Sequence, residues 1–260
     1  MKNLGIFILM ILCFAYNVCA QTDESLVIEQ TAQIIAVDPQ GNIYAVNNAS
    51  LYKYAPNGTL LYSYTQNLDG NITSIDVDNP LKIMLFYRDA GTILFLNDKL
   101  SPIGDAIDLF AKGLTTINLA TYSTKNQIIL YDEANTDLII LDFYFNEKER
   151  IHYNFNDFNP VILKDINEQK IYMQDQQNGI YFFDSFGTYD KSIAILSGFP
   201  VQVSKDVIFF VKNNQLYSYN YLNLEAHTLT DLPEETQQVL VYQNKIILSN
   251  GKTISINKLK

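Results

Sequence analysis

Two histidines, His152 and His227, are the only imidazoles in the sequence. They are 75 residues apart with no His-x-x-x-His or His/Cys pair around either, so no zinc-site pattern is present. Nucleophilic chemistry needs a Ser or Cys tied to a base, and no Gly-x-Ser-x-Gly elbow occurs. Carboxylates do come in pairs: Glu147 with Glu149, Glu234 with Glu235, and Asp132 with Glu133. Acid–base work would need one member in an apolar pocket. All three pairs are expected in solvated loops, and no Gly-rich phosphate loop is found.

The side chains in surplus are aromatic. There are 18 Tyr and 15 Phe but no Trp. Runs such as Tyr52-Lys53-Tyr54, Phe143-Tyr144-Phe145 and Tyr217-Ser218-Tyr219-Asn220-Tyr221 set rings two residues apart, on one face of a strand. Such rings pack between layers, or form a platform for a sugar or peptide. The lack of Trp weighs against a dedicated glycan binder.

The elements that carry these residues repeat. Ile43, Ile83, Ile128, Ile171, Ile208 and Ile246 each sit in a short apolar run, at steps of 37 to 45 residues. A third apolar piece starts eight to ten residues after each of them, at Leu51, Ile93, Leu138, Ile180, Leu216 and Ile254. Polar turns rich in Asn and Gly separate the two pieces, as tight hairpins require. Helical spacing is nearly absent; Gly104–Lys112 is the best candidate and reads better as an outer strand with a loop. Four short strands per unit of about 40 residues predict an all-β, six-bladed β-propeller. The last unit has only three strands before the chain stops, and an unpaired strand near Leu26–Glu29 precedes the first unit. That N-terminal strand is expected to complete the last blade and so remove an exposed sheet edge. A β-sandwich of meander sheets is the alternative.

The chain begins with Lys2, an apolar run from Leu4 to Tyr16, and Val18-Cys19-Ala20 ahead of Gln21. This is the layout of a signal peptide over residues 1–20, cleaved between Ala20 and Gln21. The run is short for a membrane span, and acylation of Cys19 is a further alternative. Residues 21–260 are then one domain without cysteine, held by its core rather than by disulfides. Loss of Lys2 takes the formal net charge from −10 to −11. With no Lys/Arg cluster, the chain lacks what a nucleic-acid reader needs, and it has no electrostatic attraction to anionic lipid.

The stretch Val37–Tyr64 resembles a repeat of the NHL type, through Asp38, Gly41, Asn42, Ile43, Tyr44, Asn47, Tyr54, Pro56 and Gly58. The resemblance covers one blade and implies a six-bladed propeller. Six-bladed relatives of the gluconolactonase type hold calcium in the central channel with Glu, Asn and Asp. By that analogy Asn71, Asn118, Asn159 and Glu235, near inner-strand starts, are the calcium candidates; turn formation is their alternative role.

The expected function is a non-catalytic protein-interaction scaffold of a bacterial cell envelope, exported, with the periplasm as the preferred location and an outer-membrane-associated or extracellular one as the alternatives. No cofactor is expected, or Ca²⁺ if the chain is instead a lactonase- or lyase-like enzyme; a carbohydrate-binding propeller is a further alternative. The expected binding face carries Asn47, Asn48, Arg88, Asp89, Asp132, Glu133, Asp137, Gln177, Asn178, Asn213 and Asn214 on its loops. Exchange of these polar residues is expected to leave stability nearly intact.

Overall fold

The computed structural model describes residues 25–66, 70–123, 125–166 and 169–259. The leader and the Ala20–Gln21 cleavage point lie outside the described residues.

The chain opens on β1 (Leu26–Ile28) and then builds blade one from β2 (Ile34–Val37), β3 (Ile43–Asn47), β4 (Ser50–Tyr54) and β5 (Leu60–Thr65). Blade two is β6 (Ser74–Asp76), β7 (Ile83–Tyr87), β8 (Thr92–Leu96) and β9 (Ile107–Asp108). Blade three is β10 (Ile117–Ser123), β11 (Gln127–Asp132), β12 (Asp137–Leu141) and β13 (Glu147–His152). Blade four is β14 (Pro160–Ile166), β15 (Lys170–Asp175), β16 (Gly179–Asp184) and β17 (Tyr189–Ile193). Blade five is β18 (Gln202–Ser204), β19 (Val207–Lys212), β20 (Gln215–Asn220) and β21 (Glu225–Asp231). Blade six takes β22 (Gln238–Tyr242), β23 (Lys245–Ser249) and β24 (Ile254–Lys258) from the C-terminal end and β1 from the other. Leu26 pairs with Ile256 and Ile28 with Ile254, which closes the ring. The chain is a six-bladed β-propeller.

The repeating Ile has a physical reason. The second strand of each blade is sandwiched between two neighbouring blades, so both of its faces must be apolar. In β3, Ile43 and Ala45 pack toward blade six while Tyr44 and Val46 pack toward blade two. In β7, Ile83, Met84, Leu85, Phe86 and Tyr87 are all buried. The core accordingly divides into six clusters, one at each seam between blades. Most of the aromatic surplus is used here. Tyr153, Phe155, Phe158, Phe183 and Tyr189 stack or meet edge-on across the seam of blades three and four.

Two details depart from expectation. Gly104–Lys112 holds only the two-residue β9, followed by a 3-10 turn at Phe110–Lys112. Glu147 and Glu149 stand on the outer strand β13 rather than in a loop. Their strand is tied down by Arg150, which bonds Glu147 at 2.6 Å and Asp137 at 3.2 Å.

Candidate functional site

Antiparallel order gives the ring two faces. One, here the loop face, carries the connections between second and third strands and those between blades. The other, the turn face, carries the connections between first and second and between third and fourth strands.

The expected binding loops all map to the loop face, but they differ in availability. Asn48, Asn213 and Asn214 have φ of 54°, 51° and 55°, so they form the tight hairpins themselves. Asn47 ends β3, and Arg88 and Asp89 are exposed next to each other. Asp132 and Asp137 are buried acceptors. Asp132 takes hydrogen bonds from the Thr116 hydroxyl at 2.6 Å and the Asn135 amide at 2.8 Å. These bonds outweigh the effect of burial and hold its carboxyl below the usual range. Asp137 pairs with Arg150 and with His152 Nδ1 at 3.0 Å. Replacing these two would cost stability, contrary to the expectation for the loops as a group.

Three of the expected residues do meet. Glu133, Asn159 and Gln177 line a cleft of about 470 Å³ between blades three and four, together with Asp157, Phe158, Asp175 and Gln176. Asp175 forms its floor. It is 2 % exposed, accepts the Asn159 N–H at 2.6 Å, and caps the turn through the N–H groups of Gln177 and Asn178. Asn178 donates its side-chain amide to the Asp157 carbonyl at 3.0 Å, tying the two walls together. Phe158 packs edge-on against Tyr131 behind the cleft. The Tyr131 hydroxyl is buried without a partner, and burial with nearby Glu133, Asp132 and Asp175 pushes its pKa up to about 12. The cleft lining holds three carboxylates and no lysine or arginine. It can accept a cationic group.

Of the calcium candidates, Asn71 and Glu235 are exposed on loops and Asn159 is in the cleft. Only Asn118 offers a buried oxygen, Oδ1, that lacks a partner. Among the described residues no three of His, Cys, Asp and Glu cluster as metal ligands.

The turn-face end of the channel holds a second cavity of about 290 Å³, lined by Asp38, Asp78, Tyr122, Asp165, Ser204 and Tyr242 among others. Beside it lies an ion pair that sequence reading missed. Lys164 of blade four reaches past blade three to Asp76 of blade two, at 3.0 Å. Thr121 donates to the same carboxylate at 2.6 Å. Burial opposes ionisation of Asp76, but Lys164 and Thr121 overcome it and hold the carboxyl low. Asp78 is different. Its side chain is open to the cavity, yet the ring surrounds it on every other side. Loss of bulk water, then the charges of Asp76 and Asp165, push its pKa up to about 6. No local pattern marks Lys164 and Asp76 as partners, because 88 residues separate them.

No protein-family model matches the chain, and no curated protein matches it by sequence. Solved structures do. A streptogramin B lyase superposes with a TM-score of 0.61 at 15 % identity, covering 87 % of this chain and 78 % of that one. The Pan2 WD40 domain of Neurospora crassa superposes with a TM-score of 0.63 at 11 % identity, covering 86 % of this chain and 88 % of that one. BBS1N, solved in complex with ARL6DN, matches with a TM-score of 0.57 at 14 % identity over 89 % and 79 %. At these identities the likeness is one of fold, which hosts both catalysis and binding.

Proposed function

We propose that this propeller is an exported, non-catalytic interaction protein of a bacterial cell envelope, and that its loop face receives a basic segment of a partner protein. The observation that carries the reading is the cleft of Glu133, Asp157 and Asp175, whose lining has no basic residue. A lysine or arginine side chain fits its chemistry, with Phe158 to receive the aliphatic stem. The likeness in fold to BBS1N, solved in complex with ARL6DN, supports an interaction role. The Asp38 turn supports an NHL-type blade one. Its buried carboxylate accepts from the Gln40 and Asn42 N–H groups and the Tyr44 hydroxyl, which accounts for the Asp-x-x-Gly-Asn-x-Tyr pattern.

The test is binding of a Lys/Arg-rich peptide to the chain from Gln21 onward. Affinity should fall about tenfold in the double variant Glu133→Ala/Asp157→Ala and should weaken as salt rises. Equal affinity for the variant would sink the reading. A second reading, a calcium-dependent lyase- or lactonase-like activity in the channel, rests on the unpartnered Asn118 Oδ1. A bound ion would raise the melting temperature by mass action, so a chelator that leaves the melt unchanged removes it.

A further inference from the structure

The cleft between blades three and four does not end at Phe158. A run of rings continues from it toward the outer strands of the same seam. Phe158 meets Phe155 at 5.1 Å and Tyr181 at 4.7 Å between ring centroids. Phe155 in turn meets Tyr181 at 5.0 Å and Tyr189 at 5.2 Å, and Tyr181 lies 6.2 Å from Tyr189. Burial falls along the run. Phe158 is 9 % exposed, Phe155 and Tyr181 are partly buried, and Tyr189 is 42 % exposed. Packing accounts for Tyr153 and Phe183, which are buried in this seam. It gives no reason for three further rings to stay open to solvent beside the cleft.

The outer rings are held in place. Tyr181 is on β16 and Tyr189 on β17. Phe155 lies in the connection from β13 to β14, which is pinned on both sides of it. Before it, Tyr153 donates its N–H to the Thr136 carbonyl at 3.0 Å and its hydroxyl to the Gly187 carbonyl at 2.5 Å. After it, the Asn159 N–H is held by Asp175. The ring planes are inclined by 48° between Phe155 and Tyr181, 62° between Phe155 and Tyr189, and 49° between Tyr181 and Tyr189. Three mutually inclined rings form a notch rather than a flat table. A sugar ring stacks on a flat aromatic face, whereas a notch receives a compact aliphatic side chain.

Continuity with the acidic cleft selects the occupant. Phe158 and Tyr189 are two ring contacts apart, about 10 Å at most, which three residues of extended chain can span. A chain that lays a cation among Glu133, Asp157 and Asp175 therefore reaches the notch two or three residues further on. The cleft alone would take any basic segment. A second, apolar anchor beside it supplies discrimination.

We propose that the seam of blades three and four reads a two-point peptide motif: an arginine or lysine in the cleft and, two or three residues along, a leucine-sized apolar side chain in the notch of Phe155, Tyr181 and Tyr189. The inference rests on the basic-segment reading and adds the anchor that sets specificity.

The test titrates the chain from Gln21 onward with short peptides of neutral flanks, each carrying one arginine with leucine three residues after it or three residues before it. Replacing the peptide's leucine by serine should lower affinity about tenfold for the order that fits. Tyr189→Ser should lower affinity for the leucine peptide by the same factor and leave the serine peptide unaffected. That coupling is not produced by a packing defect, which would weaken both peptides alike. Tyr144→Ser, at a ring 80 % exposed on the turn face, should change neither. Equal affinity for the leucine and serine peptides in both orders, with both still weakened by Glu133→Ala/Asp157→Ala, overturns this inference and leaves the basic-segment reading standing. Absence of binding by every peptide removes both. An equal loss for the two peptides in Tyr189→Ser overturns the notch and assigns Tyr189 to packing. A neutral oligosaccharide that binds the native chain but not Tyr189→Ser also overturns it, in favour of a sugar site.

Discussion

Gln238 on β22 accepts, through Oε1, a hydrogen bond from the backbone N–H of Ile35 on β2 at 2.7 Å, although 203 residues separate them. Its amide nitrogen donates to the Gln33 carbonyl. The same device recurs around the ring. Gln202 accepts the Val241 N–H and donates to its carbonyl between blades five and six, and Gln174 accepts the Val201 N–H and donates to the Phe199 carbonyl between blades four and five. A glutamine amide offers one donor and one acceptor, so it satisfies the free edge of a neighbouring inner strand. Gln238→Leu would leave the N–H of Ile35, a residue only 5 % exposed, without its partner. The expected loss is about 1–3 kcal/mol of unfolding free energy. Urea unfolding measures it, with Gln177→Ala, on an exposed loop, staying within about 0.5 kcal/mol. A loss no larger than that of the control would show that these amides do not stitch the seams.

The pair Lys164–Asp76 predicts an asymmetric result. Lys164→Met leaves Asp76, 3 % exposed at its side chain, as an uncompensated charge. Lys164 keeps 33 % of its side chain open toward the channel, so the loss should fall near the low end of the range for broken buried pairs, about 3 kcal/mol. Lys164→Met/Asp76→Asn removes both charges and should recover part of the loss. If the double variant is less stable than the single one by the full cost of Asp76→Asn, the two residues are not coupled.

Much of the ring was legible because its causes are local and repeated. A strand covered on both faces must be apolar throughout, and this put Ile43, Ile83, Ile128, Ile171, Ile208 and Ile246 in register. Hairpins that need positive φ drew Asn213 and Asn214 into place. The three-strand ending and the spare Leu26–Ile28 strand foretold the closure. The sites were less legible. Asp132 and Asp137 read like Asp89 in the sequence, and only the approach of Thr116, Asn135 and Arg150 makes them structural. The loop-face cleft joins residues of three separate loops, and no spacing rule links Glu133 to Asp157 and Asp175.

Asp78 predicts a pH dependence of definite sign. Its folded pKa, about 6, lies above that of an unfolded carboxyl. The folded state therefore binds more protons between these values, and stability from this group falls as pH rises through that window. Asp76 acts in the opposite direction: its lowered pKa gives stability that is present at neutral pH and is lost only in acid. Asp78→Asn should raise the melting temperature at pH 7.5 and change it little near pH 4, where the native carboxyl is already protonated. Thermal melts at the two pH values decide the matter; an equal gain at both would assign the effect to packing rather than charge.

Gly179 opens β16 at the rim of the loop-face cleft, with φ of +101°. A Cβ there would meet the Ile193 carbonyl oxygen and come within 3.0 Å of Ala194 Cα, both backbone atoms that cannot rotate away. Gly104 has φ of +71° but nothing within 4 Å of a Cβ. The two glycines thus separate conformational strain from collision. Gly104→Ala should cost about 1 kcal/mol, the strain of a left-handed residue alone. Gly179→Ala adds the collision and should cost at least twice that, about 2–3 kcal/mol. Because the Asp175 turn leads directly into Gly179, the same substitution should also weaken peptide binding in the cleft. Chemical unfolding and peptide titration of both variants check this, and equal losses of stability would mean that β16 and β17 yield without resistance at this point.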